Sequence, residues 1–504
     1  MSQQVEPAPA EPAAAKDVDL AADGGWSGKG GSTWVWRLSF YGLFAVTLWL
    51  TIGFEATEMV GVGTTLMFLV LLFMKVPVAV SLIVPSLIGM TKLYGWTVAA
   101  PLMLGETVYE ESASWSLSVV PMFIFMGIIL WRAGVTARLY DAMNVMFRRV
   151  PASLAVGTNV AGGGLAAVSG STMGTTYALA RIGIPEMLKS GYDRRIATAS
   201  VLFAGLSGQL IPPSILLVVF AGIASIPIGP TLMAGVLPGI LLVVITSAVL
   251  IGIGLVKPSL VGGRTADRTD AASQLSRRRK VQVVLGCWPV PVLVATVLGG
   301  IFSGLLTETE AGAVGAFVSV LLSLWFKRRD SLKEIWNSMV ETASATASIF
   351  FMLIGATMLT LVVGDSGAAD GVATWVIDSD LSRVGFLALL FLVYLIAGMF
   401  GESLVAMLLT VPVLMPLLPE LGIDPLFFGV FIVLCVELGM ILPPTGVLTY
   451  VVHAIAKDPE VRGDQEISLR DIFTGVVWLL PIPVLLIVVM TFFPDLVTLI
   501  PNHM

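Results

Sequence analysis

The chain has 504 residues, of which 56% are hydrophobic and only 12% are charged, and its mean hydropathy is +0.93. A typical soluble domain carries about 25% charged residues. The composition therefore excludes an ordinary soluble protein and indicates a polytopic protein of the lipid bilayer. The net charge of −6 indicates little about partners, because the charges lie in loops, and we predict no nucleic-acid partner. Two cysteines and two histidines are too few for a disulfide framework or a His-rich metal site.

Residues 1–37 differ in composition from the rest of the chain. They are rich in Ala, Pro and Asp and contain no apolar block, which predicts a disordered tail on the cytoplasmic side. Trp34, Trp36 and Arg37 mark a membrane interface. We therefore predict an extra amino-terminal transmembrane helix at residues 38–54.

Transmembrane helices need roughly 17–25 apolar residues each, and apolar segments of suitable length recur along the chain. We predict 11 transmembrane helices, at about 38–54, 59–75, 77–93, 114–131, 196–225, 232–255, 285–303, 305–326, 341–363, 427–455 and 473–495. The predicted fold class is therefore an all-α polytopic membrane protein.

The two halves of the chain are related by an internal repeat. The segment "GQLIPPS" (208–214) recurs 231 positions later as "GMILPPT" (439–445). Seven identities keep this offset without a gap, and they comprise three glycines, three prolines and an aspartate: Gly170/Gly401, Pro185/Pro416, Gly191/Gly422, Asp193/Asp424, Gly208/Gly439, Pro212/Pro443 and Pro213/Pro444. Repeats of this kind are common in secondary transporters.

Basic residues indicate that the two copies are inverted, because cytoplasmic loops are enriched in Lys and Arg. Residues 132–150 carry four arginines, whereas the counterparts at 363–381 carry four aspartates and no Lys or Arg. We predict inverted repeats at 55–255 and 285–504, joined by a basic cytoplasmic loop at 256–284. This topology places the amino terminus in the cytoplasm and the carboxyl terminus outside.

Two further apolar segments, about 151–187 and 383–420, begin and end on one side of the membrane in this topology. They predict re-entrant helical hairpins with tips near "SGST" (169–172) and "GESL" (401–404). A Pro-Pro pair follows each tip and should break the spans at 196–225 and 427–455. The carbonyl ends of broken helices can hold a cation, and their N-terminal ends can face an anion.

Four segments in order resemble the large membrane subunit (DctM-like) of tripartite ATP-independent periplasmic (TRAP) transporters: "AVSGSTMGTTYALARIGIPEMLKSGYD", "LSGQLIPPSILLVVFAGIASIPIGPTLMAGVLPG", "LLTETEAGAVGA" and "LGMILPPTGV". The resemblance implies an elevator-type secondary transporter in the bacterial inner membrane, with a periplasmic carboxyl terminus. It implies sodium-coupled uptake, with two or more Na+ ions, of a small organic acid such as a dicarboxylate, keto acid or sugar acid. The implied partners are a small four-helix membrane subunit (DctQ-like) and a periplasmic substrate-binding protein.

The tips and breaks supply the candidate site residues. We predict that cations are held by Ser169, Ser171, Thr172, Gly205, Gly208, Gly401, Glu402, Ser403 and Gly439. We predict that the organic anion contacts Gln209, Pro212, Pro443 and Thr445.

Several of these residues have an alternative interpretation. The first-tip hydroxyls could cap a half-helix, and Glu402 could reach water. Gln209 could hydrogen-bond within its break, and Glu437 could lie at the site or pair with another helix. Glu402 and Leu404 stand where the family usually has Asp and Thr, which leaves the number of sodium ions open.

Other functional classes fit the sequence less well. An ion or solute channel with re-entrant loops is the alternative, but it does not require two inverted sites that each combine a tip with a break. A membrane enzyme would need a catalytic set, which a single mid-chain histidine does not provide, and no phosphate-binding G-x-x-x-x-G-K-[ST] segment occurs for an ATP-driven pump.

The topology can be tested by cysteine labelling in cells, after both native cysteines are replaced. A membrane-impermeant maleimide should label Asn502→Cys in intact cells. It should label Ser273→Cys, in the basic loop, only after the inner membrane is opened. Labelling of Ser273→Cys from outside would contradict the inverted-repeat topology.

Overall fold

The computed structural model describes residues 32–263, 276–327, 330–379, 381–400 and 403–504. Within these ranges the chain is helical and contains no β-strand. The predicted all-α class is therefore confirmed. One large cluster of buried apolar side chains runs through both repeats.

The first repeat and the helix before it contain fifteen helical segments, some of them short. They are Ser32–Gly53, Thr57–Phe73, Val78–Tyr94, Trp96–Ala100, the π-helical Pro101–Thr107, Val108–Ser112, the 3-10 turn Ser116–Ser118, Val119–Arg132, Val135–Phe147, Ser153–Ser169, Thr172–Lys189, Arg194–Leu206, the 3-10 turn Ser207–Gln209, Ile215–Ile223 and Ile228–Val256.

The helices of the second repeat follow the described end of the basic loop. They are Arg277–Leu285, Pro289–Phe302, Glu308–Lys327, Ser331–Asp365, Ala368–Asp378, Arg383–Phe400, Ser403–Leu414, Pro425–Gly439, Val447–Ala456, Pro459–Arg462, Leu469–Leu479, Pro481–Phe492 and Asp495–Thr498.

Five described helices are long and apolar enough to cross a membrane: Ile228–Val256, Arg277–Phe302, Glu308–Lys327, Ser331–Asp365 and Leu469–Phe492. A sixth span would be the pair Trp96–Ser112 and Ser116–Arg132, which is bent by 58°. Four other predicted spans, 38–54, 59–75, 77–93 and 427–455, correspond to apolar helices of 10–17 residues. The predicted span at 196–225 is divided into the helices Arg194–Leu206 and Ile215–Ile223. The count of 11 transmembrane helices thus stays a prediction.

Two predicted boundaries are wrong. The first helix begins at Ser32 and not at residue 38, because "STWVW" contains no helix breaker and continues into the apolar segment. The basic loop is also shorter than predicted, because the helix Arg277–Leu285 occupies its end and is capped by the Ser276 hydroxyl. Residues 1–31 and 264–275 lie outside the described ranges.

Two hairpins and two breaks organise the rest of the chain. The first hairpin is the helix pair Ser153–Ser169 and Thr172–Lys189, and the second hairpin is Arg383–Phe400 and Ser403–Leu414. We call residues 207–214 the first break and residues 440–446 the second break. Each hairpin packs against the helix that enters the break following it.

The two repeats also cross-pack. The outgoing helix of the first hairpin contacts the helix that leaves the second break, and the outgoing helix of the second hairpin contacts the helix that leaves the first break. The Phe220 and Phe428 rings meet edge to face, with centroids 6.4 Å apart. Each hairpin is thus held by helices of both repeats.

Close packing of the first hairpin depends on residues without bulky side chains. A Cβ atom at Gly162 would lie 2.5 Å from the carbonyl oxygen of Ala204 in the neighbouring helix. Small residues allow helix backbones to approach closely in membrane proteins. The hairpin therefore packs backbone to backbone on the helix that enters the first break.

We expect Gly162→Ala to destabilise the folded protein, because a backbone carbonyl cannot move aside as a flexible side chain can. Overpacking of this kind costs about 1–3 kcal/mol. The matched control is Gly252→Ala, where no described atom lies within 4 Å of the added methyl. Thermal unfolding in detergent should show a lower midpoint for Gly162→Ala alone. Equal midpoints for Gly162→Ala and wild type would contradict the close packing.

Candidate functional site

The tip of the first hairpin is a two-residue turn. Gly170 has φ +60°, a left-handed conformation that favours glycine at a helix end. Ser171 caps the next helix, and its hydroxyl accepts a hydrogen bond from the Gly174 N–H at 3.2 Å. A Cβ at Gly170 would collide with the Pro213 carbonyl oxygen. The tip backbone therefore lies directly against the first break.

The first break interrupts a helix at its proline pair. The helix ends at Leu206, passes through a 3-10 turn and restarts at Ile215, where the Ser214 hydroxyl accepts from the Leu217 N–H. The Pro212–Pro213 peptide bond is cis, as is Pro443–Pro444. Since proline has no N–H, the carbonyls four residues earlier, at Gly208 and Gln209, lose their usual helical donors.

The first tip and the first break meet through small residues. A Cβ at Gly208 would lie 3.4 Å from Thr172 Cα and 3.5 Å from the Ser171 carbonyl oxygen. A Cβ at Gly205 would collide with Thr176 Oγ1 and lie 3.5 Å from the Thr172 carbonyl oxygen. The structure thus brings together five residues of the first hairpin, the helix that enters the first break and the break itself: Ser171, Thr172, Thr176, Gly205 and Gly208. All of them except Thr176 are predicted cation ligands.

The hydroxyls of the first tip divide into two kinds. Ser169 Oγ lies 3.0 Å from Thr175 Oγ1, and Ser171 caps its helix, so both act within the hairpin. The hydroxyls of Thr172 and Thr176 are buried and have no hydrogen-bond partner among the described residues. A buried hydroxyl without a partner costs about 1–3 kcal/mol. This orphaned pair fits an oxygen-binding cation.

Thr176 was missed by the sequence analysis. Its signal is the i, i+4 spacing from Thr172, which puts both hydroxyls on one face of the outgoing helix. Thr176 lies four residues beyond the tip "SGST", on which the predicted ligands are centred.

The second tip is described from Ser403 onward, because Gly401 and Glu402 lie outside the described residues. The Ser403 hydroxyl donates to Glu437 Oε1 at 2.8 Å and lies 2.9 Å from Met440 Sδ. Glu437 is only 2% exposed and stands in the last turn before the second break. This bond places Glu437 beside the second tip, and it fits both interpretations of the residue, a place at the site and a pairing with another helix.

Gly439 brings the second hairpin close to its break. A Cβ at this position would lie 2.6 Å from the Leu395 carbonyl oxygen and 2.8 Å from Gly398 Cα. The helix entering the second break therefore contacts the backbone of the incoming helix of the second hairpin.

The four predicted substrate residues lie in the two breaks, Gln209 and Pro212 in the first and Pro443 and Thr445 in the second. Thr445 Oγ1 donates to the Met399 carbonyl at 2.6 Å and so ties the second break to the second hairpin. Gln209 Oε1 lies 3.5 Å from Ser214 Oγ within the first break. Pro212 and Pro443 begin the cis peptide bonds. Each of these contacts stays within one repeat.

A cavity of about 410 Å³ opens beside the first tip. It is lined by the tip residues Ser169, Ser171 and Thr175 and by Trp131 and Glu341 from neighbouring helices. Small-molecule sites are commonly 300–1,000 Å³ and mostly apolar, with a few polar groups. The cavity matches that description, with hydroxyls on one wall and a carboxylate on another.

An arginine holds the carboxylate of this cavity. Arg132 Nη2 lies 2.8 Å from Glu341 Oε2, and Arg132 Nη1 lies 3.2 Å from Glu334 Oε2. In the sequence, Arg132 indicates only the cytoplasmic side of the membrane. Its pairing with two glutamates on a distant helix leaves no pattern in the sequence.

Residues 65–496 match the family model of the "Tripartite ATP-independent periplasmic transporter, DctM component". The C4-dicarboxylate TRAP transporter large permease protein DctM of Pseudomonas aeruginosa is 32% identical over 401 residues, covering 79% of this chain and 89% of that protein. The sialic acid TRAP transporter permease protein SiaT of Haemophilus influenzae is 28% identical, covering 87% of this chain and 67% of that protein.

A solved structure shows the same fold. The crystal structure of the Alcanivorax borkumensis YdaH transporter superposes with a TM-score of 0.57, at 15% identity, over 79% of this chain and 90% of that chain. The resemblance stated from the sequence is confirmed, and so is the exclusion of an enzyme. The chain belongs to the DctM component family of tripartite ATP-independent periplasmic transporters.

Proposed function

We propose that the chain is the large permease subunit of a sodium-coupled importer of a small organic acid in the bacterial inner membrane. The supporting observation is the pair of orphaned hydroxyls at Thr172 and Thr176, packed against Gly205 and Gly208 of the first break. Hydroxyl and carbonyl oxygens are the ligands that hard cations prefer.

The first cation site uses the break as well as the tip. The carbonyl end of a helix carries a partial negative charge, and the proline pair frees the carbonyls of Gly208 and Gln209 from helical donors. Na+ bound there would supply the partner that the Thr172 and Thr176 hydroxyls need. Ser169 and Ser171 then shape the tip, and Ser171 contributes its carbonyl.

The second cation site lies at Ser403 and Gly439. Ser403 stands at the start of the outgoing hairpin helix, and Gly439 ends the helix that enters the second break. We also assign Gly401 and Glu402 to this site, because they correspond in the repeat to Gly170 and Ser171 of the first tip.

The substrate class follows from charge and from the relatives. Helices restart at Ile215 and Val447 after the two breaks, and their N-terminal ends favour an anion. Relatives are named for C4-dicarboxylate, 2,3-diketo-L-gulonate and sialic acid. We assign Gln209, Pro212, Pro443 and Thr445 to a small organic acid.

The movement that carries substrate across is proposed to be of the elevator type. Its support is the cross-packing of the hairpins with the broken helices of the opposite repeat. Elements held in this way can move as one body past the long helix Ser331–Asp365, which borders the cavity through Glu341.

Two partners complete the proposed transporter, a small four-helix membrane subunit and a periplasmic substrate-binding protein. A relative from Oleidesulfovibrio alaskensis is named isethionate TRAP transporter permease protein DctMQ, and this chain covers 59% of it. We also propose that the carboxyl terminus lies on the periplasmic side and the amino terminus in the cytoplasm, as the inverted-repeat topology predicts.

The proposed function predicts that transport needs both partners and Na+. In proteoliposomes, the chain with its small subunit, its binding protein and an inward Na+ gradient should take up an organic acid. Replacing Na+ with choline, or omitting either partner, should reduce uptake to the level of empty liposomes. Uptake by the chain alone, or uptake that ignores Na+, would contradict the proposal.

The first cation site predicts a specific phenotype for Thr176→Val, which replaces the orphaned hydroxyl with a methyl. Without Na+, the midpoint of thermal unfolding should stay unchanged or rise, because the lost hydroxyl had no partner. The Na+ concentration for half-maximal stabilisation should increase about tenfold, equivalent to about 1.4 kcal/mol of binding free energy.

Thr175→Val is the matched control, because its hydroxyl already bonds to Ser169. It should lower the midpoint by the same amount with and without Na+, at a cost of about 1 kcal/mol. Identical Na+ titrations for Thr176→Val and wild type would remove Thr176 from the site.

A further inference from the structure

We propose that the Glu437 carboxylate is a direct ligand of the second cation site, so that the two cation sites of the chain differ in charge. The proposal rests on the sodium coupling proposed above. It names a ligand that lies outside the tip sequence "GESL", on the helix that enters the second break.

The geometry places the carboxylate at the second tip. Glu437 is 2% exposed, and its Oε1 accepts a hydrogen bond of 2.8 Å from the Ser403 hydroxyl. Gly439, a predicted cation ligand, follows two residues later in the same helix. The carboxylate, the tip hydroxyl and the end of the helix are therefore within one small region.

The internal repeat shows what this residue replaces. At the offset of 231 positions, Thr172 corresponds to Ser403, Thr176 to Met407 and Leu206 to Glu437. Both tips keep a hydroxyl at the first position. The second copy has lost the hydroxyl of Thr176, since Met407 is fully buried and apolar, and it has gained a carboxylate on the facing helix. A neutral oxygen has thus been exchanged for an anionic group.

Helix electrostatics favour a cation at this place. Glu437 lies in the last turn of the helix Pro425–Gly439, where the partial charge of the helix end is already negative. A carboxylate there is unfavourable by itself, and burial increases the cost. A bound Na+ would offset both the carboxylate and the helix end. The competing interpretation is that Glu437 only fastens the second hairpin through Ser403.

The charge difference has a consequence for the order of binding. The described part of the first site offers hydroxyls and carbonyls, so a cation there adds a positive charge that an anionic substrate can balance. The second site brings its own negative charge. Na+ should therefore occupy the second site before substrate arrives, and Na+ at the first site should bind cooperatively with substrate.

The test is substrate-free Na+ binding to the full chain in lipid nanodiscs, at constant ionic strength with choline. Wild type should be stabilised by Na+ with a saturable rise in the unfolding midpoint. Glu437→Gln should raise the half-saturating Na+ concentration by at least about tenfold, which corresponds to about 1.4 kcal/mol. Its midpoint in choline should equal or exceed that of wild type, because a buried charge has been removed. Glu110→Gln, an exposed acid, is the matched control and should change neither value.

The possible outcomes separate the two proposals. If wild type shows no response to Na+, the proposed sodium coupling fails. If wild type responds but Glu437→Gln has the same Na+ titration, sodium coupling stands and Glu437 is not a ligand. A Glu437→Gln midpoint lowered equally with and without Na+ would show that the residue only fastens the hairpin, and would overturn the inference.

Discussion

The structure depends on one constraint, which is that backbone polar groups inside an apolar environment must find partners. Each Pro-Pro pair removes two N–H donors from a helix, and the carbonyls four residues earlier lose their usual bonds. Each such group costs several kcal/mol if it stays unsatisfied in hydrocarbon. The hairpin tips are packed against these breaks, with Gly170 on Pro213 and Ser171 and Thr172 beside Gly208. Carbonyls without their usual helical donors are thus a product of the breaks, and the first tip lies against its break.

The two repeats share this design but satisfy it differently. In the second break, the Leu442 N–H donates to the Gly439 carbonyl and the Leu448 N–H donates to the Met440 carbonyl. The Thr449 hydroxyl also donates to the Ile441 carbonyl. The second break is therefore stabilised by hydrogen bonds from its own chain, whereas the hydroxyls of the first tip bond within the hairpin or have no partner among the described residues.

Prediction from the sequence worked where the signal is a pattern along the chain. Hydropathy predicted the all-α class, and the ordered motifs predicted the family, and both are confirmed. Helix starts were less accurate, because Ser32 and Arg277 extend helices into segments that composition had marked as tail and loop. Contacts between distant segments could not be predicted: nothing in "TTY" shows that Thr176 Oγ1 faces Gly205. For Glu437 the sequence left open a place at the site or a pairing with another helix, and it did not indicate the 2.8 Å bond from Ser403.

The contact between the two broken helices bears on how the duplicated halves have diverged. The Phe220 ring fills the space that a side chain at position 429 would need, because residue 429 is glycine. At the offset of the repeat, position 220 corresponds to Val451 and position 429 to Thr198. The repeat-equivalent positions therefore lack both the aromatic ring and the glycine of this contact. The two repeats have therefore diverged into complementary surfaces, and a second copy of either repeat would not reproduce this contact.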